Sequence, residues 1–228
     1  MPTLEYLERQ PKTSAARAPL LFLLHGRGAY AKTIFSIEGL LDSSFHIISI
    51  QAPYPSEIGG FEWFHPMPET GLSELQDAER FEEVERLLTD DISFHLARTR
   101  LENAPLFLWG FSQGAAMSLI VGLRGKIKPT GIVPMSGFLP RPVKQWDRWN
   151  TDMRVLLAHG SDDEVLATGS SKSTRTFLES IGVPVEYYEY KGRHKMTLDV
   201  IGHVNQWMLG TGTNPHPTAA PSAGGEIQ

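Results

Sequence analysis

Large apolar residues come in short runs along this chain, and longer stretches with helical spacing lie between them. The runs are LLFLLHG (Leu20–Gly26), FHIISIQAP (Phe45–Pro53), PLFLWGF (Pro105–Phe111), TGIVPMSG (Thr130–Gly137), MRVLLAHG (Met153–Gly160) and VEYYEY (Val185–Tyr190). The first, third and fifth show little polar alternation, as strands buried on both faces of a parallel sheet do. The clearest helical stretch runs from Glu74 to about Arg98, with Phe81, Val84, Leu87, Leu88 and Ile92 on one stripe. Its many charges read as a solvated face. Further helices are expected after Ala31, Gln113 and Thr168, and from about Thr197 to Leu209. Strands alternating with helices predict an α/β fold: a mostly parallel central sheet, helices on both faces and right-handed crossovers.

Two stretches break the rhythm. PYPSEIGGFEWFHPMPET (Pro53–Thr70) is rich in Pro, Gly and aromatics and is expected to be a loop lying over the sheet. From Gly210 onward the chain is small, polar and Pro-rich, with nothing to bury, so residues 210–228 are expected to be a disordered tail. With 228 residues, 41% of them hydrophobic, residues 1–209 suit a single compact domain without a large cap.

Charge and composition remove several function classes. A net charge of -5 with scattered Lys and Arg argues against nucleic acid or an anionic membrane as partner. The absence of cysteine excludes disulfides, thiolate metal sites and a Cys nucleophile. MPTLEYLERQPKTSAARAP at the start has no continuous apolar core, so no signal peptide is read there, and Leu20–Leu24 is too short to span a bilayer. A cytoplasmic protein without membrane insertion is expected, and nothing indicates a homo-oligomer.

The run LFLWGFSQGAAMSLIVGL (Leu106–Leu123) changes from strand-like to helix-like at Gly110-Phe111-Ser112-Gln113-Gly114. A sharp strand-to-helix turn needs glycines where backbones approach, and it thrusts the apex residue out at the carboxyl end of the sheet. This is the G-x-S-x-G elbow of a nucleophilic serine. The helix that follows brings its N-terminal N–H groups beside the serine, where they favour an oxyanion.

Serine needs a base, and in this arrangement the order along the chain is Ser, acid, His. Downstream of Ser112 and before the tail lie His159, His194 and His203. His194 sits in YKGRHKM, just past a strand, where it can reach Ser112. His203 lies inside a helical pattern and reads as a packed histidine. For the acid, the loop after the Met153 run offers Asp162, Asp163 and Glu164, which spacing alone does not separate. The oxyanion donors are assigned to the backbone N–H groups of Gln113 and of Arg27 in His25-Gly26-Arg27-Gly28. Because Arg27 acts through its main chain, Arg27→Ala is expected to leave the rate nearly intact. No H-E-x-x-H and no ligand spacing among the histidines is present, so neither a metal nor a cofactor is implied.

HGRG, GGFEWF (Gly59–Phe64), GFSQGA, HGSDDEV and a glycine-containing loop ending in His194 are together similar to the carboxylesterase/phospholipase family that includes the acyl-protein thioesterases. The resemblance covers most of Leu20 to about Leu209. It implies a compact α/β-hydrolase that cleaves esters or thioesters through an acyl-enzyme. It also implies that the acid is the aspartate four residues after His159, which is Asp163. Arg27 departs from the leucine common at its place in the thioesterases, and Lys195 from the serine of the family's G-x-x-H-S ending. Dienelactone hydrolases share the fold but use Cys where Ser112 stands. Trp63, Phe64, Phe138, Leu139, Trp146, Trp149 and Leu166 are candidate pocket walls; Trp63 and Phe64, where the family also carries aromatics, and Leu166 are taken as substrate-binding.

The expectation is a serine carboxylesterase acting on a small-molecule ester, with short to medium acyl chains favoured. A thioesterase or lysophospholipase using the same three residues is the near alternative. A non-catalytic binding protein on the same fold is the remote one.

Overall fold

The computed structural model describes residues 2–12, 18–65, 74–101, 103–140, 143–144 and 146–211. The expected tail therefore lies outside the described residues from 212 onward, as does the end of the Pro53–Thr70 segment.

Seven strands form one sheet in the order β1-β3-β2-β6-β7-β8-β9. They are β1 (Tyr6–Arg9), β2 (Leu20–Leu24), β3 (His46–Ile50), β6 (Leu106–Phe111), β7 (Gly131–Met135), β8 (Arg154–Gly160) and β9 (Val185–Tyr190). From β3 to β9 every pairing is parallel, whereas β1 runs antiparallel to β3. Every residue of β2, β3 and β7 is buried. This explains the missing alternation, since both faces of the sheet carry helices.

The two faces divide by residue parity. Leu20, Phe22, Leu24, Leu106 and Leu108 point toward α2 (Glu74–Thr99), α3 (Gln113–Arg124) and α4 (Thr168–Ser180). Leu21, Leu23, Phe107 and Trp109 point to the opposite side, toward α1 (Ala31–Phe35) and α5 (Leu198–Leu209). Helix α5 starts at Thr197, whose hydroxyl accepts from the Val200 N–H, and ends at Gly210 in a left-handed conformation. Among the described residues, no helix is long and apolar enough to cross a membrane.

Three sequence expectations change. Strand β1 was not legible: it is four residues long, polar and half-buried. It is held by β3 and by Arg9, whose guanidinium donates to the carbonyls of Asp42 (2.6 Å), Phe45 (3.2 Å) and Leu41 (3.3 Å). The loop after Pro53 contains a small antiparallel hairpin, β4 (Tyr54–Pro55) with β5 (Phe61–Glu62). The charges of α2 are not all solvated, since Glu85 and Asp91 are buried. Asp91 caps the N-terminal segment by accepting from the N–H groups of Thr3 (2.8 Å) and Leu4 (2.9 Å).

Candidate active site

Strand β6 passes into α3 through Ser112, which has φ 54° and ψ -114°, a backbone conformation that non-glycine residues rarely adopt. The neighbouring glycines permit the bend. A methyl group on Gly110 would lie 2.0 Å from the Gly114 carbonyl oxygen, and one on Gly114 would lie 2.1 Å from that of Leu24. The Ser112 N–H donates to the Met135 carbonyl at 2.9 Å, which anchors the apex to β7. Gln113 is the first residue of α3, so its N–H has no acceptor within the helix.

The loop after β2 lies alongside. His25 is buried, its Nδ1–H donates to the Gly26 carbonyl at 2.7 Å, and its Nε2 accepts from the Ala52 N–H (3.0 Å) and the Gln51 amide (2.8 Å). Burial pushes its pKa down to about 4, against the raising effect of the Gly26 carbonyl, so the ring is neutral near pH 7. The Gly28 N–H donates to the Phe61 carbonyl (2.8 Å) and the Phe61 N–H to the Ala29 carbonyl (2.9 Å), stitching this loop to the hairpin. Here glycine is required at position 60, where a methyl group would lie 2.3 Å from the Gly28 oxygen.

The Arg27 side chain ties this loop to β5. Its Nε–H donates to Glu62 Oε2 at 2.9 Å, and the Glu62 side chain is fully buried. Burial raises the pKa of Glu62, but hydrogen bonds from Arg27 and Ser56 outweigh it and hold the carboxyl below its ordinary value. Arg27→Ala would remove one of the partners of that buried carboxylate, leaving Ser56 and His65 beside it, so the substitution is expected to cost stability, which is separate from the rate.

The loops after β8 and β9 zip together. Ser161 N–H donates to the Tyr190 carbonyl and Asp162 N–H to that of Gly192, both at 2.8 Å. This juxtaposition places Asp163 Oδ2 2.7 Å from His194 Nδ1. The Asp163 side chain is 0% exposed, whereas that of His194 is 17% exposed and faces the cavity. Burial raises the Asp163 pKa, but donors from Leu166, His194 and Val165 outweigh it and lower it, so the group is ionised. Among the three acids that spacing left open, Asp162 pairs with Lys191 at 2.7 Å and Glu164 pairs with Arg193. His203 stacks on Tyr188, with ring centroids 4.1 Å apart, and lies within 3.2 Å of Glu186.

Ser112, His194 and Arg27 line one cavity of about 220 Å3. Its apolar wall is supplied by Ile34 and Ile37 from the α1 region, Phe111 from β6, and Met196 and Ile201 from the start of α5. The Phe111 ring lies against His194, with centroids 4.8 Å apart.

The three residues taken as substrate-binding are placed elsewhere. Trp63 and Phe64 are fully buried in the core on the α2–α3 face. They are fixed there by polar ties: Trp63 Nε1–H donates to the His25 carbonyl (2.7 Å), and Gln113 Nε2 donates to the Phe64 carbonyl (2.8 Å). They buttress the site instead of walling it. Leu166 does not line the cavity either; its main chain holds Asp163 through an N–H at 2.8 Å. The sequence pattern missed the wall from α1 and α5, because isoleucines with helical spacing carry the same signal whether they pack on a sheet or border a cleft.

Comparisons with known proteins bear on this arrangement. A family model described as phospholipase/carboxylesterase matches residues 8–208. Acyl-protein thioesterase 1 of Yarrowia lipolytica is 32% identical over 109 residues, 45% of this chain and 48% of that protein. Acyl-protein thioesterase 1 of Neurospora crassa is 28% identical over 140 residues, 57% of each chain. The chain thus spans about half the length of these curated relatives. Among solved structures, esterase PE8 superposes with a TM-score of 0.80 at 24% identity, covering 91% of this chain and 99% of that one. A carboxylesterase from Bacillus cereus gives 0.78 at 16% identity, covering 92% and 95%. At such identities the structural likeness speaks for the α/β-hydrolase fold, and the family match over residues 8–208 speaks for descent: the chain belongs to the phospholipase/carboxylesterase family.

Proposed function

We propose that this protein is a serine carboxylesterase working through Ser112, His194 and Asp163. The observation that carries the reading is the cavity shared by Ser112 and His194, with buried, ionised Asp163 behind the imidazole. In this scheme Ser112 Oγ attacks the ester carbonyl carbon while His194 Nε2 takes the hydroxyl proton. Asp163 holds His194 Nδ1–H and stabilises the imidazolium. The N–H groups of Gln113 and Arg27 receive the oxyanion, each such donor being worth about 10²–10³ in kcat. His194 then gives its proton to the leaving alcohol, and afterwards takes one from the water that releases the acid.

The cavity, at about 220 Å3, falls below the roughly 300–1,000 Å3 of common ligand pockets, which favours short acyl chains. Thioester cleavage by the same residues is the second reading, favoured by relatives named acyl-protein thioesterases. A series of p-nitrophenyl esters and matched thioesters of increasing length, run on wild type and Ser112→Ala, tests both. The expected result is a maximum at short esters that vanishes in Ser112→Ala. Failure of a fluorophosphonate to label folded wild-type protein would favour a binding module instead.

A further inference from the structure

The proposed chemistry uses the main chain of Arg27 and gives its guanidinium no task, although Arg27 lies in the lining of the cavity that holds Ser112 and His194. Lys195 lies in the same lining, which among the described residues contains no Asp or Glu. Two cationic residues and no acidic one set this cleft apart from the chain as a whole, whose net charge is -5.

The guanidinium is held at one edge only. Its Nε–H donates to Glu62 Oε2 at 2.9 Å, and that oxygen also accepts from the Ser56 hydroxyl at 2.9 Å. Glu62 is fully buried in the hairpin, has His65 Nδ1 beside its other oxygen, and is not part of the lining. The Arg27 side chain keeps 28% of its surface exposed. Among the described residues, neither Nη group has an acceptor, and nor has the Arg27 main-chain N–H. Four coplanar N–H bonds, fixed in place through the fifth, make a fork that matches a carboxylate.

We infer that Arg27 is a specificity-determining residue, and that the preferred substrate is an ester whose acyl part carries a second, free carboxylate. This rests on the reading of the cavity as an ester-hydrolysing site and names the substrate class for it. The ester oxygen takes the amide of Arg27, and the free carboxylate takes the Nη groups of the same residue. The alcohol departs beside His194, whereas Arg27 stands at the carbonyl oxygen, so the group it reads belongs to the acyl side. Ile34 and Ile37 of the same cavity cover the methylenes between the two carboxyl carbons.

Glu62 does not cancel this recognition. A buried partner behind the guanidinium offsets part of its charge, but it also removes rotamer freedom before any ligand arrives. Less entropy is then lost when the fork closes on a carboxylate. An amide of the same shape offers an oxygen but no charge, so the fork binds it more weakly.

The test compares two esters of one shape: monoethyl succinate, which carries a carboxylate, and ethyl succinamate, which carries an amide in its place. Hydrolysis is followed by the acid released. Wild type should favour monoethyl succinate in kcat/KM by about 10- to 100-fold, chiefly through KM. Arg27→Met, which keeps the stem, should bring that ratio near one. Arg27→Lys should restore part of it, since it returns the charge without the fork. The ratio is taken within each variant, so a change in overall rate or in folded fraction cancels. A wild-type ratio at or below one overturns the inference with no variant needed, and a ratio that survives in Arg27→Met overturns the assignment to Arg27. The acetyl esters of glycolate and glycolamide move the charge to the alcohol; a preference confined to that pair overturns the acyl-side placement. Absence of fluorophosphonate labelling in the wild type would instead defeat the hydrolase reading. An NMR titration with succinate tests the carboxylate site apart from it: binding lost in Arg27→Met supports the inference, and no binding to wild type, or equal binding to both, overturns it.

Discussion

Of the places among the described residues where a carboxylate meets an imidazole, two differ instructively. At the sheet edge, Glu8 Oε1 lies 2.5 Å from His46 Nε2 and 2.8 Å from Arg98 Nη2, and Arg98 Nε donates to His95 Nδ1 at 2.9 Å. At the carboxyl ends of β8 and β9, Asp163 accepts from His194 Nδ1–H at 2.7 Å and has His159 Nε2 3.2 Å away. Both carboxyls sit below their ordinary pKa because donors outweigh burial. The edge cluster joins β1 to β3 and α2, and neither Glu8 nor His46 lines the site cavity. The other cluster adjoins a strained serine and an open cleft. A perturbed carboxylate–histidine cluster is therefore a candidate site only when it faces reacting space.

The largest effect that separates the two belongs to the cleft. Ser112→Ala or Asp163→Asn should lower kcat/KM on a short ester by roughly 10⁴-fold or more, and Ser112→Ala should do so while leaving the unfolding midpoint nearly unchanged. Steady-state kinetics beside urea unfolding would show it; an active Ser112→Ala would dissolve the distinction.

Acid should next strike both regions together. His25 beside the site and His95 at the edge each have a pKa pushed down to about 4, by burial first and, for His95, by Arg98 as well. The unfolded chain takes these protons near pH 6.5 and the folded chain does not. Stability is thus full above about 6.5 and is lost as the pH falls toward 4, by on the order of a few kcal/mol. Urea unfolding at several pH values measures the slope, and His25→Gln and His95→Gln should each flatten part of it.

A smaller effect is expected from Glu8→Gln, which weakens the edge cluster. Stability should drop by about 1–3 kcal/mol with kcat per folded molecule unchanged. Loss of kcat in the folded variant would show that the edge and the cleft are coupled. Smallest is Arg175→Ala, which removes an exposed pair with Glu179 on α4 and should cost about 0.3–0.5 kcal/mol in thermal unfolding.

The legibility of these regions in the sequence follows the same division. Strands β2, β6 and β8 were readable because burial on both faces leaves an unbroken apolar run. The elbow was readable because its backbone demands glycine at two fixed offsets. Strand β1 was not, since its place depends on Arg9 reaching carbonyls more than thirty residues away. The choice among Asp162, Asp163 and Glu164 needed the resemblance, because adjacent acids in a loop differ only in which partner they meet. Trp63 and Phe64 misled for a related reason: aromatics in an irregular segment look alike whether they border a cleft or plug the core beneath it. Gln113 decides their place, by tying both to the elbow through its side chain.

The stitch between Ala29 and Phe61 has an evolutionary corollary. Because main chain bonds to main chain there, the isoleucine side chains contributed by the α1 region take no part in the hydrogen bonds that hold the loop beside position 27. Under the proposed chemistry, descendants of this protein would be free to change diet without relearning how to digest.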